Sequence, residues 1–262
     1  MISHVKVRYE DRGRGRVAFV AIDRQEKLNS LSSDLMRQLT DLFKGLAADL
    51  HLRAVVLTGA GDKAFSGGAN IEEMAAIASP DEARAFIELV HRVCKAIRAL
   101  PAPVIARING YCLGAGLEIA AACDLRIASE TALFGMPEVK LGLPSVVEAA
   151  LLPSLIGWGR ARRILYTGEL FDAEVAYEWG LVEEVHDPAL LDAAVEDLLD
   201  SLIDAEPRAV QLQKQLMQRW EELPMSASIQ AGIEAFEEAW TTAEPSHAMN
   251  AYLMARRAGK KA

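Results

Sequence analysis

Long apolar runs are missing from this chain. Nowhere in its 262 residues do about eighteen consecutive apolar side chains occur, the length a bilayer-spanning helix needs. The stretch Met1 to Asp11 carries charges early and holds no apolar segment of the secretory kind, so the expected address is the cytoplasm. Cysteine is scarce. Cys94, Cys112 and Cys123 are odd in number, lack CxxC spacing and sit in apolar stretches, so they are expected to be reduced core residues. The five histidines, His4, His51, His91, His186 and His247, are scattered, and a metal centre is not expected. A basic excess is also absent: 28 Lys and Arg face 37 Asp and Glu, for a net charge of −9. That balance argues against a nucleic-acid partner, which needs a basic face. Basic residues do gather at Arg160, Arg162 and Arg163, and at Arg256, Arg257, Lys260 and Lys261. They read as a solvated helix face and a chain end, with a local contact to a phosphate-bearing ligand left open.

What is present is an apolar content of 51%, enough for one substantial core or a core with an appended element. Short β-forming runs alternate with helical patterns. Val17 to Ile22 reads as a strand introduced by a Gly-Arg-Gly turn, and Ala54 to Leu57 as a second. Between them Leu35, Leu39, Leu42, Leu46 and Leu50 recur at helical spacing. A further helix is predicted from Ser79-Pro80-Asp81-Glu82, where Ser79 caps and Glu82 returns the bond; its buried stripe is Phe86, Leu89, Val90, Val93 and Ile97. Val104 to Ile108 and Leu125 to Ala128 read as strands, with a short one at Ala132 to Phe134 and a helix from about Gly114 to Ala122. After Ser145 the pattern is mostly helical, interrupted by a strand at Leu181 to Val185. Met225, Ile229, Ile233, Phe236 and Trp240 share one helix face. An α/β core followed by a helical C-terminal portion from near residue 190 is expected.

Three segments carry groups suited to chemistry. In Ala64-Phe65-Ser66-Gly67-Gly68-Ala69-Asn70-Ile71, adjacent glycines allow positive φ and close approach of backbone to a ligand. In Asn109-Gly110-Tyr111-Cys112-Leu113-Gly114-Ala115-Gly116-Leu117-Glu118, small residues open a helix whose free N–H groups suit an oxyanion. The glycines there do not follow the dinucleotide pattern GxGxxG. Glu118 stands among Ala, Leu and Ile, where a carboxylate is costly unless paired or protonated. In Phe134-Gly135-Met136-Pro137-Glu138, Glu138 follows a proline in a loop. Singly, each has an ordinary explanation: a strand-to-helix turn, compensation of a helix dipole, a solvated loop residue. Together they supply N–H donors for an enolate oxygen and two carboxyls for proton traffic at the α and β carbons of a thioester.

With these motifs the chain resembles the crotonase, or enoyl-CoA hydratase/isomerase, superfamily. The resemblance begins at Lys27-Leu28-Asn29-Ser30-Leu31, runs through the three segments above, and continues in Leu141-Gly142, Thr167-Gly168 and Gly180-Leu181-Val182. It implies an α/β fold, a spiral of repeated ββα turns over residues 1–190. A helical region over residues 191–262 would build a homotrimer or a dimer of trimers. It implies oxyanion-hole N–H groups at Ala69 and Ala115, hydratase carboxyls at Glu118 and Glu138, and a coenzyme A site at Lys27, Leu28, Gly67, Ala69 and Ile71. No separate cofactor is implied, since coenzyme A enters with the acyl-CoA substrate. The implied reaction is addition of water to a 2-enoyl-CoA, giving a 3-hydroxyacyl-CoA. Two alternatives stand beside it: another crotonase reaction (an isomerase, or a hydratase of a branched, aromatic or carboxylated acyl-CoA), and a silent acyl-CoA-binding protein. The chain departs from the family where hydratases carry Pro-Gly-x-Gly-Gly-Thr; here Pro144-Ser145-Val146-Val147-Glu148-Ala149-Ala150 stands, and Glu148 reads first as a surface helix residue, with a role toward a polar acyl group left open. Glu72 occupies a position where some members have Lys.

Overall fold

The structure, a computed structural model, describes residues 4–259; Met1 to Ser3, Lys260 and Lys261 lie outside the described residues. The chain forms two compact units that divide after Asp200.

Among the described residues the first unit has ten strands. These are β1 (Val5–Arg12), β2 (Gly15–Ile22), β3 (Leu52–Gly59), β4 (Ala64–Ser66), β5 (Val104–Ile108), β6 (Tyr111–Leu113), β7 (Leu125–Ser129), β8 (Leu133–Gly135), β9 (Leu170–Asp172) and β10 (Glu184–His186). They form two sheets, ordered β1-β2-β3-β5-β7-β10 and β4-β6-β8-β9. From β3 to β8 successive strands alternate between the sheets. Within each sheet β3, β5 and β7, or β4, β6 and β8, pair in parallel. Helices α2 (Ile71–Ala75) and α3 (Pro80–Arg98) follow β4, and α4 (Ala115–Ala122) follows β6. The result is a spiral of ββα turns, as the family resemblance implied.

Burial explains which sequence signals were strong. Central strand β3 is buried along nearly its whole length, as a parallel strand covered on both faces requires. Edge strand β1 alternates charged and apolar residues and pairs antiparallel with β2 across the Gly13-Arg14 turn; its mixed pattern hid it. The predicted 181–185 strand is only Glu184–His186, because Leu181 and Val182 are buried in the turn before it.

Helix α1 (Ser33–Leu46) is capped by Ser32, whose side chain accepts from Leu35 N. Leu35, Leu39 and Leu46 are buried, but Leu50 is 94% exposed, since the helix stops at Leu46 and the chain turns. In α3 all five predicted stripe residues are buried. Ser79 accepts from Glu82 N as expected, whereas the Glu82 carboxyl accepts from Ala78 N rather than Ser79 N. Helix α3 packs against α1, α4 and the 3-10 helix Val147–Leu151.

The second unit holds helices Pro207–Glu222, Met225–Ala239 and Glu244–Gly259. Met225, Ile229, Ile233, Phe236 and Trp240 share a face as predicted, and each is 50 to 77% exposed.

Candidate active site

The 64–72 segment is shaped by its glycines. Gly68 has φ +97°, and a Cβ placed on it would lie 2.9 Å from Leu113 O and 3.8 Å from Ala115 N. Only a residue without a side chain lets the backbone after β4 lie against the backbone entering α4. Ala69 forms an isolated parallel bridge with Leu31: Leu31 N donates to Gly68 O, and Asn70 N donates to Leu31 O. Asn70 then caps α2, its side-chain oxygen accepting from Glu72 N and Glu73 N. Among the described residues the Ala69 N–H has no hydrogen-bond partner.

The facing segment repeats the logic. Gly114 takes φ +51° and donates its N–H to Gly135 O at 2.9 Å. Ala115 is the first residue of α4, so its N–H is one of those a helix cannot satisfy, and it too lacks a partner among the described residues. A Cβ on Gly116 would meet Ser66 O at 2.7 Å, which presses α4 onto the end of β4. The structure thus brings Ala69 and Ala115 into neighbouring segments, each offering a free N–H.

Glu118 lies in the first turn of α4, a helix whose eight residues are all buried. It is 3% exposed, and its Oε1 accepts from Ala149 N at 3.2 Å. Its pKa is pushed up to about 8, first by burial and then by the charge of Glu138; the Ala149 N–H pulls the other way, and Glu148 adds a smaller upward push. The sequence left this carboxyl either paired or protonated. A pKa near 8 favours the protonated form at neutral pH.

Glu138 comes from a 3-10 helix, Pro137–Leu141, ended by Gly142 in the left-handed conformation. It is half-buried, and its Oε2 accepts from the Ser145 hydroxyl at 2.8 Å. A Cβ on Gly114 would lie 2.5 Å from Glu138 Oε1, so Glu138 reaches the very turn that opens α4. Ser145 had no role in the sequence reading; its hydroxyl donates to one Glu138 oxygen.

Glu148 corrects an expectation. It is 8% exposed rather than on a helix surface, and its Oε1 lies 2.7 Å from His91 Nδ1. The reason is local: Val147 and Ala149 flank it, Ala149 is buried, and the short 3-10 helix turns the glutamate toward α3 and α4. The apolar flanks were the available signal.

Leu28 and Gly67 meet in one backbone ladder, Gly67 N donating to Leu28 O at 2.8 Å, and Ile71 opens α2 next to Glu72, the partner of Lys27. Leu28 and Asn29 both have positive φ. The buried Asn29 side chain holds this turn, donating to Ala60 O and Ala64 O and accepting from Arg24 N. Lys27, Leu28 and Ile71 are exposed. Lys27 is paired with Glu72 at 2.6 Å, and that pairing lowers the Glu72 pKa. Among the described residues no group of three or more His, Cys, Asp or Glu could hold a metal ion. Cys94, Cys112 and Cys123 are buried, and none is in a disulfide among the described residues.

A spiral of ββα turns that sets two free backbone N–H groups beside two carboxyls defines the crotonase class. The family model for enoyl-CoA hydratase/isomerase matches residues 12–259. The chain is 36% identical to the short-chain-enoyl-CoA hydratase of Clostridium acetobutylicum, over 93% of each chain. It is 34% identical to the crotonyl-CoA hydratase of Syntrophomonas wolfei, over 93% of this chain and 94% of that one. The crystal structure of an enoyl-CoA hydratase from Bacillus anthracis superposes with a TM-score of 0.89 at 32% identity, covering 96% of both chains. The chain belongs to the enoyl-CoA hydratase/isomerase family.

Proposed function

We propose that Glu118 and Glu138 add water across the double bond of a 2-enoyl-CoA, with Ala69 N–H and Ala115 N–H holding the thioester oxygen. One observation carries this reading: two carboxyls with one raised pKa, converging on the turn that also presents the free Ala115 N–H. A pair of this kind holds one proton near neutral pH and leaves the other group able to take one. Water held between the carboxyls attacks Cβ, and the π electrons move toward the thioester oxygen, where the two N–H groups stabilise the charge. Glu138 takes a proton from the attacking water and passes it to Cα as the enolate collapses, so the carboxyls end as they began. Two proton-handling groups suit hydration, whereas an isomerase can work with one, and the relatives' names favour hydration over the alternatives.

Lys27, Leu28, Gly67, Ala69 and Ile71 would line the coenzyme A portion, which enters with the substrate. The exposed stripe from Met225 to Trp240 supports a homotrimer or dimer of trimers. Among the described residues no helix is long and apolar enough to cross a membrane, and we place the enzyme in the cytoplasm.

Loss of enoyl-thioester absorbance with crotonyl-CoA tests the assignment. We expect Glu138→Gln to bind the thioester nearly as well as the parent while hydration falls by several orders of magnitude. Near-parental turnover in that variant would remove Glu138 from the chemistry.

A further inference from the structure

Glu138 projects from a short 3-10 helix and is half-buried. A glutamate turns about three side-chain torsions, the last of them broad, so its backbone does not decide which carboxyl oxygen faces a substrate. The chain that follows supplies the decision. Gly142, at φ +79°, bends the backbone, and Leu143 N donates to Glu138 O at 3.1 Å. That closure brings the next residues back beside Glu138. Ser145 is half-buried between exposed Pro144 and Val146, and its hydroxyl donates to Glu138 Oε2 at 2.8 Å. Among the described residues no other hydrogen bond or ion pair holds the Glu138 side chain.

The two carboxyl oxygens therefore have different surroundings. Oε2 is taken by Ser145. Oε1 faces the turn that opens α4: a Cβ on Gly114 would lie 2.5 Å from Oε1 and 3.5 Å from the carboxyl carbon. The residue after Gly114 is Ala115, whose N–H is assigned to the thioester oxygen. The same segment reaches the other carboxyl too, since Ala149 N donates to Glu118 Oε1. That second contact is made by main chain, which any residue but proline supplies. The contact to Glu138 depends on one hydroxyl.

We propose that Ser145 is a positioning residue for the hydration: by holding Oε2 it turns Oε1 of Glu138 toward the substrate, and Oε1 is the atom that moves the proton. The proposal rests on reading Glu118 and Glu138 as the hydrating pair. Oε1 takes the proton from the attacking water and releases it to Cα, while the hydroxyl keeps its own proton and stays bonded to Oε2 throughout. Without the hydroxyl the carboxyl turns freely, and Oε1 spends less time where the water can reach it. Ser145 acts only through Glu138, so thioester binding does not depend on it.

The test compares Ser145→Ala, which removes the hydroxyl, with Ser145→Thr, which keeps one. Loss of a hydrogen bond to a carboxylate sets the scale: kcat for crotonyl-CoA should fall about ten- to a hundredfold in Ser145→Ala, with KM changed less than about twofold. Ser145→Thr should return kcat to within a few-fold of the parent. Added to Glu138→Gln, Ser145→Ala should cost no further residual hydration. Crystal structures of the parent and Ser145→Ala read the same hold without turnover. The Glu138 carboxyl should take one orientation in the parent, Oε1 toward Gly114, and several in the variant. Parental kcat in a folded Ser145→Ala, an equal loss in the Glu138→Gln background, or an unmoved Glu138 carboxyl in the variant crystal would overturn the proposal. Absence of hydration by the parent enzyme would count against the hydratase reading alone, because the crystal structures still decide what Ser145 does to Glu138.

Discussion

Replacing Glu118 with glutamine should make the protein's stability less sensitive to pH. The native environment raises this carboxyl from 4.5 to about 8, chiefly by burial. Below pH 4.5 both folded and unfolded chains hold the proton, and the group contributes nothing to the pH dependence. Between the two values the folded chain keeps the proton while the unfolded chain sheds it, so stability falls as pH rises. Above about pH 8 the folded chain ionises too and the loss levels off. A displacement of this size corresponds to roughly 4 to 5 kcal/mol over the whole window. Glutamine cannot ionise, and its side-chain oxygen can still accept from Ala149 N. Denaturant unfolding at fixed protein concentration, run from pH 5 to pH 9, reads the difference. The parent and Glu118→Gln should unfold alike near pH 5, and the variant should gain by several kcal/mol toward pH 9. Parallel stability curves across that range would show that Glu118 ionises at an ordinary value and would refute the reasoning.

Two further outcomes follow from contacts around the site. Gly114→Ala would drive a methyl to 2.5 Å from Glu138 Oε1 at a backbone position of φ +51°, so turnover of crotonyl-CoA should fall at least about a hundredfold in a chain that still folds; the assay is kcat beside a circular-dichroism spectrum. Glu72→Gln would release Lys27 from its ion pair, and the freed ammonium should lower the dissociation constant for coenzyme A a few-fold by calorimetry, an effect that fades as salt is raised.

The sequence was most informative where burial is one-sided and regular. The α3 stripe and the runs of β5 and β7 declared themselves because their apolar spacing matches their periods. Strands β4 and β6 did not, for each is three residues long and ends in the glycine turn that builds the site. Glu118 was legible because a carboxyl among Ala, Leu and Ile asks for an explanation. The placement of Glu138, Ala69 and Ala115 came from resemblance to a family, and the contact of Gly68 with the α4 entry shows why those segments must meet. Glu148 was misread as a surface residue because its neighbours in space, His91 and Cys94, lie more than fifty positions away in the chain. Nothing in the local pattern joins them.

The central claim is that this carboxyl pair adds water to a 2-enoyl-CoA. The most direct measurement runs crotonyl-CoA with the purified enzyme in oxygen-18-labelled heavy water and locates the labels by mass spectrometry and NMR. We expect one oxygen-18 at Cβ and one deuterium at Cα of a 3-hydroxyacyl-CoA, and neither in Glu118→Gln. Oxygen-18 in a free carboxylate beside released coenzyme A, or deuterium in a shifted double bond with no added oxygen, would contradict it.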